Sequence, residues 1–267
     1  MRELTPEELR ATQMEILRSV SAFCGAEGIR YYLGFGTLLG AVRHRGYIPW
    51  DDDIDISMPR KDFEAFCESF TDRYPFKEHS LYTHRSHPEF PYPFAKVGSD
   101  ATLLEEDLSI PVTMGVNIDI FPIDGWPEHS LYVKLHRLNL SVLRKLLEWK
   151  ILRHPAGRGM RGLIGGFLMM GLDAIPTARL LSGLSRCAVH YAFDESEHVG
   201  VLVWAYRERV PRSAYGTPQA LMFEGQQFAG PCNPDIVLRS IYDDYMTLPP
   251  EDKRATHHAF KAYTIDG

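Results

Sequence analysis

The chain has 267 residues, of which 45% are hydrophobic and 24% charged, and its formal net charge is −6. This is the composition of a folded globular protein, and it excludes a wholly disordered chain. The negative charge argues against a general nucleic-acid-binding protein, because phosphate contacts require a basic face. The four cysteines are far apart and form no CxxC pair. That spacing excludes a zinc ribbon and a dense disulfide framework.

The charge is unevenly distributed along the chain. Residues 1–130 carry 12 basic and 22 acidic side chains, whereas residues 131–186 carry 10 basic and 2 acidic ones. The N-terminal residues are acidic and lack an apolar core, so no signal peptide is expected. The longest uncharged apolar run lies between Arg161 and Asp173, about half the length of a membrane span. We therefore expect a cytoplasmic protein without a transmembrane segment.

The first predicted element is a helix. Thr5 and Glu8 form a capping box around Pro6, and apolar residues recur at helical spacing until Gly25 and Gly28. Strands and helices then alternate in the first half of the chain. The predicted strands cover 29–33, 53–58, 81–84, 94–97 and 115–121, and the predicted helices cover 38–45, 59–70, 131–154 and 162–192. A proline-rich tail of loops and short helices follows.

This order predicts an α/β (α+β) fold, with a mixed sheet and flanking helices in the first half and a mostly helical C-terminal half. We expect residues 1–130 to form a catalytic core. Residues 131–267 would form a helical region packed on that core, and the two could also make one continuous domain.

A cluster of carboxylates is the most informative feature. Asp51, Asp52, Asp53 and Asp55 fall within five residues, and strand alternation places Asp53 and Asp55 on one face. Carboxylates this close repel one another, so a bound cation is the economical explanation, and oxygen ligands favour Mg²⁺ or Mn²⁺. A solvated acidic turn is one alternative, although the run is embedded in apolar residues. A calcium loop is another, but the EF-hand glycine and glutamate are missing.

Gly36 and Thr37 follow the strand over 29–33 and open a helix. Glycine allows close approach of the backbone, and a helix N-terminus offers N–H groups to an anion. Gly-Thr before a helix, followed by an Asp-Ile-Asp strand, therefore predicts a nucleotide phosphate and a divalent metal at one place. Asp119, between two isoleucines on the strand over 115–121, is the candidate for a third metal ligand or a base. The role of Asp124 stays open between a turn or cap and a functional residue.

Several segments of the sequence resemble those of a known family. The segments that carry the resemblance are Gly36–His44, Ile48–Asp55, Ile118–Asp124, Phe223–Gly225 and Tyr242–Pro250, followed by Arg254 and His257–His258. Together they look like the LicD family of phosphocholine transferases, to which the fukutin-type ribitol-phosphate transferases are related. The resemblance implies a nucleotidyltransferase-like fold.

The resemblance also implies a reaction. A phospho-alcohol such as phosphocholine would pass from CDP-choline or another CDP-alcohol to a sugar hydroxyl of a glycan, with release of CMP. In that scheme Asp53, Asp55 and Asp119 are the metal-binding and catalytic residues, and Gly36 and Thr37 grip the nucleotide phosphates. The roles of Asp51 and Asp52, near the substrate, stay open.

Other side chains near the motifs are weaker candidates for substrate binding. Arg43 and Lys96 could contact phosphate, with an ordinary surface cation as the alternative. His44 could bind the donor or make a buried hydrogen bond. A choline head group would require aromatic ring faces, and the aromatic residues near the motifs, for which core packing is the alternative, are Tyr47, Trp50, Tyr92 and Trp126.

The basic segment 131–172 combines an amphipathic helix with a following apolar stretch. Such a segment suits peripheral contact with an anionic membrane, at its inner face, where a lipid-linked glycan acceptor could be met. A helix whose basic face is solvated and which packs on its own core is the alternative.

Three other functions share some of these features. An Asp-x-Asp glycosyltransferase uses the same metal and diphosphate chemistry but does not explain Gly36-Thr37 before a helix. A nucleotidyltransferase would deposit the nucleotide itself on the acceptor. A catalytically silent binding module is disfavoured because all three acids are present.

Overall fold

The computed structural model describes residues 1–106, 112–151, 174–204, 208–254 and 260–265. The helices are α1 (Pro6–Glu27), α2 (Phe35–Arg43), α3 (Arg60–Arg73), α4 (Ser130–Ile151), α5 (Thr177–Ala188) and α6 (Pro234–Tyr242). The strands are β1 (Arg2–Glu3), β2 (Tyr32–Leu33), β3 (Asp55–Pro59), β4 (His79–Tyr82), β5 (Ala95–Ser99), β6 (Thr102–Glu106), β7 (Asn117–Gly125), β8 (His198–Gly200), β9 (Val210–Pro211), β10 (Gln219–Phe223), β11 (Gln226–Gly230) and β12 (Phe260–Thr264). Among the described residues, no helix has the length and apolar character needed to cross a membrane.

Helix α1 begins and ends as its sequence predicts. The Thr5 side chain accepts a hydrogen bond from the Glu8 backbone N–H, and the Glu8 carboxylate accepts one from the Thr5 N–H, so the capping box is complete. Gly28 ends the helix in the left-handed conformation, with φ of 68°, which glycine adopts without a steric penalty. Gly25 lies inside the helix and does not end it.

The central sheet has the strand order β2-β3-β7-β5-β4, and β8 and β9 extend it from β7. Strands β3 and β7 are parallel, whereas the other pairings in this sheet are antiparallel. Every residue of β3 is buried, because α2 and α3 pack against it. The predicted mixed sheet with flanking helices is therefore confirmed for the first half of the chain.

The predicted helical C-terminal half is wrong, because the described part of this half also contributes five strands. Strand β12 pairs with β6 and β1, β8 pairs with β7, and β10 and β11 form a hairpin. The proline-rich tail is predicted to hold loops and short helices, but prolines also stand at the ends of short strands. The hairpin turn is Glu224-Gly225, in which both residues have positive φ, as a two-residue type I′ turn requires.

Boundaries of other predicted elements also shifted. Strand β3 begins at Asp55, so Asp53 lies in the preceding loop and not on the strand. Helix α4 occupies most of the predicted helix over 131–154, and α5 lies within the predicted helix over 162–192. Residues 152–173, which include the apolar end of the basic segment, lie outside the described residues.

Glu208 is a buried acid next to the end of β8, and no sequence pattern indicated it. Glu208 is fully buried and accepts hydrogen bonds from the Val201 N–H and the Tyr215 hydroxyl. The Trp126 indole N–H donates to its backbone oxygen. Burial raises the pKa of Glu208 to about 7, although the two hydrogen bonds to its carboxylate oppose the shift.

We expect Glu208 to make stability depend on pH. Its usual pKa is 4.5, so between about pH 4.5 and 7 the folded protein keeps a proton that the unfolded chain has released. Stability therefore falls as pH rises through this window, by about 3 kcal/mol in total. A Glu208→Gln variant lacks this component and should gain stability relative to the parent as pH rises. Urea unfolding of both proteins at about pH 5 and pH 8 measures the change. The control is Glu148→Gln, which makes the same substitution at an exposed position. If the stability difference between Glu208→Gln and the parent is the same at both pH values, the prediction is wrong.

Candidate active site

An open cleft of about 640 Å³ lies at the ends of β3 and β7. Six of the sequence-predicted site residues line it: Gly36, Arg43, Asp51, Asp53, Asp55 and Asp119. Aromatic side chains form much of the remaining wall. The cleft is therefore lined by both acidic and aromatic side chains, which suits a metal-bound diphosphate next to an organic group.

The start of α2 is joined directly to β3. The Gly34 N–H donates to the Asp55 backbone oxygen at 2.9 Å, and the Asp55 N–H donates to the Thr37 hydroxyl at 2.8 Å. Thr37 is buried and does not line the cleft, so its visible role is to fix the strand that carries Asp55. Gly34 precedes the helix and offers no side-chain cap, so the first N–H groups of α2 need an acceptor from elsewhere.

Gly36 leaves room for a carboxylate at this helix end. A Cβ atom at position 36 would lie 2.5 Å from Oδ2 of Asp51, which is closer than real contacts allow. The Asp51 carboxylate therefore lies at the positive end of α2, where the helix dipole favours negative charge. An anion of the substrate would meet the same environment.

Two acids are brought together by the register of the parallel pair. Asp55 of β3 lies opposite Asp119 of β7, and the Asp119 N–H donates to the Ile54 oxygen at 2.9 Å. Asp55 is only 7% exposed. Burial, together with the charges of Asp53, Asp119 and Asp51, raises the pKa of Asp55 well above its usual value. The site therefore favours a positive charge beside Asp55.

Lys96 contacts Asp119 from the neighbouring strand β5. Antiparallel register places the two residues opposite each other, and the Lys96 Nζ lies 2.8 Å from Asp119 Oδ1 and 3.1 Å from the Asn117 side-chain oxygen. Lys96 is buried and lines a small recess of about 50 Å³ behind the cleft. Its ammonium balances the charge of Asp119, and the structure does not bring it to the wall of the main cleft.

The loop that carries Asp51 and Asp52 is held by α1. The Arg10 guanidinium donates to the Asp51 backbone oxygen at 2.9 Å, and the Gln13 amide donates to that of Asp52 at 2.8 Å. Asp51 lines the main cleft, whereas Asp52 lines the small recess with Lys96. Asp51 and Asp52 therefore line different cavities, and Asp53 lines both the main cleft and the small recess.

Arg43 and His44 lie at the other end of α2. The Arg43 guanidinium donates to the Tyr245 backbone oxygen at 2.6 Å and to the His44 Nε2 at 2.9 Å. Burial and the charge of Arg43 lower the pKa of His44, which favours the neutral ring that accepts this hydrogen bond. Arg43 lines the cleft, and His44 orients the Arg43 guanidinium through this hydrogen bond.

The C-terminal tail supplies cleft residues that were not predicted individually. Tyr242, Asp244, Tyr245, Thr247 and Pro249 line the cleft, and so does Trp204. The Trp204 ring lies 5.2 Å from that of Phe94 and 6.4 Å from that of Phe121, between ring centres. The only sequence signal for these positions was the resemblance in the tail segment; Trp204 had none.

The aromatic candidates named from the sequence are dispersed. Trp50 lines the cleft, with the Arg254 guanidinium 5.6 Å from the centre of its ring. Tyr47 and Trp126 are buried in the core. Tyr92 packs between Phe90 and Phe94. Of these four candidates, Trp50 is therefore the one that lines the cleft.

Asp124 lies away from the cleft in a buried ion pair. Its two carboxylate oxygens accept hydrogen bonds from the Arg60 guanidinium at 2.8 and 2.6 Å, and the Asp124 side chain is 1% exposed. Arg60 is the first residue of α3, whereas Asp124 is near the end of β7. The visible role of Asp124 is therefore to fasten a helix to the sheet.

A mixed sheet that presents acids on two parallel strands, next to a Gly-Thr pair opening a helix, defines a nucleotidyltransferase-type domain. Residues 28–101 match the family described as LicD/FKTN/FKRP, nucleotidyltransferase domain. Residues 28–101 are therefore similar to this domain family. The matched region contains Gly36, Asp53, Asp55 and Lys96, whereas Asp119 and the C-terminal wall of the cleft lie outside it.

Two relatives differ in how much of the chain they match. The lipopolysaccharide cholinephosphotransferase LicD of Haemophilus influenzae is 27% identical over 279 aligned residues, which cover 99% of this chain and 100% of the relative. The human ribitol 5-phosphate transferase FKRP is 46% identical over 54 residues, but these cover 20% of this chain and 11% of that protein.

Proposed function

We propose that this protein transfers a phospho-alcohol, phosphocholine or a similar group, from a CDP-alcohol to a sugar hydroxyl of a glycan and releases CMP. The observation that carries this proposal is the similarity to the Haemophilus influenzae cholinephosphotransferase over the whole length of both chains. A lipopolysaccharide-type or other lipid-linked glycan is the corresponding acceptor. The acidic and aromatic cleft supports the same reaction from its chemistry.

The donor set fits a divalent metal ion. Asp53, Asp55 and Asp119 offer oxygen ligands only, which Mg²⁺ and Mn²⁺ prefer, and the raised pKa of Asp55 shows that its negative charge is poorly balanced by the protein alone. These three residues would hold the metal. When bound, it supplies positive charge that stabilises the negative charge on the transferring phosphate and on the leaving group.

The protein's own groups position the donor. Gly36 at the start of α2 lines the cleft, so the N–H groups of this helix end would bind a phosphate of the CDP-alcohol beside the Asp51 carboxylate. The Arg43 guanidinium at the cleft wall would add a second anion contact. Trp50, Phe121, Trp204 and Tyr242 offer ring faces, which is the chemistry that holds a quaternary ammonium group.

The acceptor hydroxyl must lose a proton as its oxygen bonds to phosphorus. The new O–P bond forms while the bond from phosphorus to the CMP oxygen breaks, so the products are a phosphodiester and CMP. Asp119 or a neighbouring carboxylate accepts the proton. Lys96 would keep Asp119 in place by an ion pair made from the small recess.

A donor panel tests the proposal. The purified protein is incubated with Mg²⁺, a glycan acceptor and, separately, CDP-choline, other CDP-alcohols, nucleoside triphosphates and nucleotide sugars. We expect CMP release from a CDP-alcohol and its suppression by EDTA. Pyrophosphate release would instead indicate a nucleotidyltransferase, and UDP release from a nucleotide sugar would indicate a glycosyltransferase. Either result without CMP release overturns the proposal.

A further inference from the structure

We propose that the outer face of helix α4 docks on the surface of an anionic lipid membrane. At about 100° per residue, Leu131, Leu135, Leu138, Val142 and Trp149 fall within an arc of about 60° on the helix. All five are between 45% and 59% exposed. We call this set the outer stripe. A row of large apolar side chains exposed on one helix face is an uncommon feature that marks a binding surface.

Packing among the described residues does not account for the outer stripe. The buried residues of α4 are His136, Leu140, Leu147 and Ile151, whose mean direction is about half a turn away from the stripe. This inner face packs toward the core and toward α5. Helix α4 is therefore apolar on two opposite sides, and one of them already makes the contacts that the fold requires.

The charges around the outer stripe favour anionic lipid. Helix α4 carries five basic residues and one acidic residue, although the whole chain has a net charge of −6. Lys134 and Lys145 are exposed and border the stripe on one side, while the amphipathic ring of Tyr132 borders the other. Apolar side chains inserted between lipid heads, with lysines at the phosphate level, are the chemistry of an interfacial helix.

A second copy of the chain fits this face less well. A two-fold contact through the outer stripe would bring Lys134 and Lys145 of both copies toward each other, with one Glu148 per helix to offset them. A spanning mode is excluded for α4, because no helix among the described residues is long and apolar enough to cross a bilayer. The helix would therefore lie in the plane of the membrane surface.

Helix α4 also connects the outer stripe to the cleft. The Arg144 guanidinium donates to the backbone oxygen of Trp204, and Trp204 lines the cleft. Docking through the stripe would place the cleft wall about one helix diameter, on the order of 10 Å, from the lipid surface. The inference does not depend on the proposed reaction, since binding to vesicles is measured without any substrate.

The test is flotation with vesicles of phosphatidylcholine alone or mixed with phosphatidylglycerol. We expect the parent protein to float with the mixed vesicles at low salt and to bind less as the salt screens the lysines. The variant Leu135→Ser/Leu138→Ser/Val142→Ser should lower the bound-to-free ratio by about 10-fold or more. Its matched control is Met222→Ser/Ile236→Ser, which removes two similarly exposed apolar side chains outside α4 and should bind as the parent does.

Two further measurements complete the test. Lys134→Glu/Lys145→Glu should abolish the preference for anionic vesicles, and the emission of Trp149, obtained by difference from Trp149→Phe, should shift to the blue on binding. Circular dichroism confirms that each variant is folded. The proposal is overturned if the parent does not bind anionic vesicles at low salt. It is also overturned if the variant Leu135→Ser/Leu138→Ser/Val142→Ser, the stripe variant, binds them as well as the parent does. It is equally overturned if light scattering shows a dimer that the stripe variant loses while no vesicle binding occurs.

Discussion

Replacing Asp53 or Asp55 by asparagine is expected to lower turnover by about 10³-fold or more without unfolding the protein. Both side chains line the cleft beside Asp119. An amide is a weaker metal ligand than a carboxylate and carries no negative charge, so the site would lose affinity for Mg²⁺ and its ability to stabilise the transferring phosphate. CMP release from the CDP-alcohol identified in the donor panel measures the effect.

The fold should survive these substitutions for a specific reason. The contact between Asp55 and Thr37 uses the Asp55 backbone N–H, so an asparagine keeps it. Asp55 is buried among other carboxylates that raise its pKa, and removing its charge relieves that repulsion. The melting temperature of metal-free Asp55→Asn should therefore equal or exceed that of the parent, and Mg²⁺ should stabilise it less.

A matched control separates the chemistry from the substitution itself. Asp72 is exposed on α3 and does not line the cleft, and Asp72→Asn makes the same carboxylate-to-amide change. It should retain parental turnover. Turnover within about 10-fold of the parent in either Asp53→Asn or Asp55→Asn would remove these acids from the proposed metal site.

The local parts of the site could be predicted because their signals are local. Gly36-Thr37 and the acidic run near Asp53 are short, and each carries its own chemical constraint. The capping box of α1 is also complete within four residues. Such features depend on neighbours in the sequence, so they are visible before any strand has found its partner.

Partnerships between distant segments could not be predicted in the same way. Asp119 meets Asp55 through parallel register, and Lys96 meets Asp119 through antiparallel register. A shift of one residue in either pair would turn these side chains to the other face. The sequence leaves Lys96 open between a phosphate contact and an ordinary surface cation, whereas the structure shows it buried and paired with Asp119.

The C-terminal half was misjudged because its strands are short and paired at long range. Strand β12 joins β6 across more than half of the chain, and no alternation over five residues identifies such a partner. The turn Glu224-Gly225 was the available signal. The Glu224 carboxylate accepts a hydrogen bond from the Tyr47 N–H at 2.9 Å, so this hairpin also supports the loop that leads to Asp51 and Asp53.

Removing the carboxylate of Asp124 is expected to cost about 3–5 kcal/mol of stability. Asp124 and Arg60 form a two-point ion pair in which the side chains are 1% and 14% exposed. Asp124→Ala leaves the Arg60 guanidinium buried with Glu64 at 3.5 Å as a remaining acidic neighbour. Urea unfolding should show a lower midpoint at an unchanged slope.

Two companion variants decide whether Asp124 is structural or catalytic. Glu27→Ala breaks a more exposed pair with Arg73 and should cost about 1 kcal/mol or less. Arg60→Met/Asp124→Leu replaces both charges by apolar groups and should recover most of the lost stability, because neither ion is then left buried alone. Since Asp124 does not line the cleft, this double variant should also keep the activity of the parent. A stable but inactive double variant would show that Asp124 takes part in the reaction, and an Asp124→Ala variant as stable as the parent would show that the ion pair does not hold α3 to the sheet.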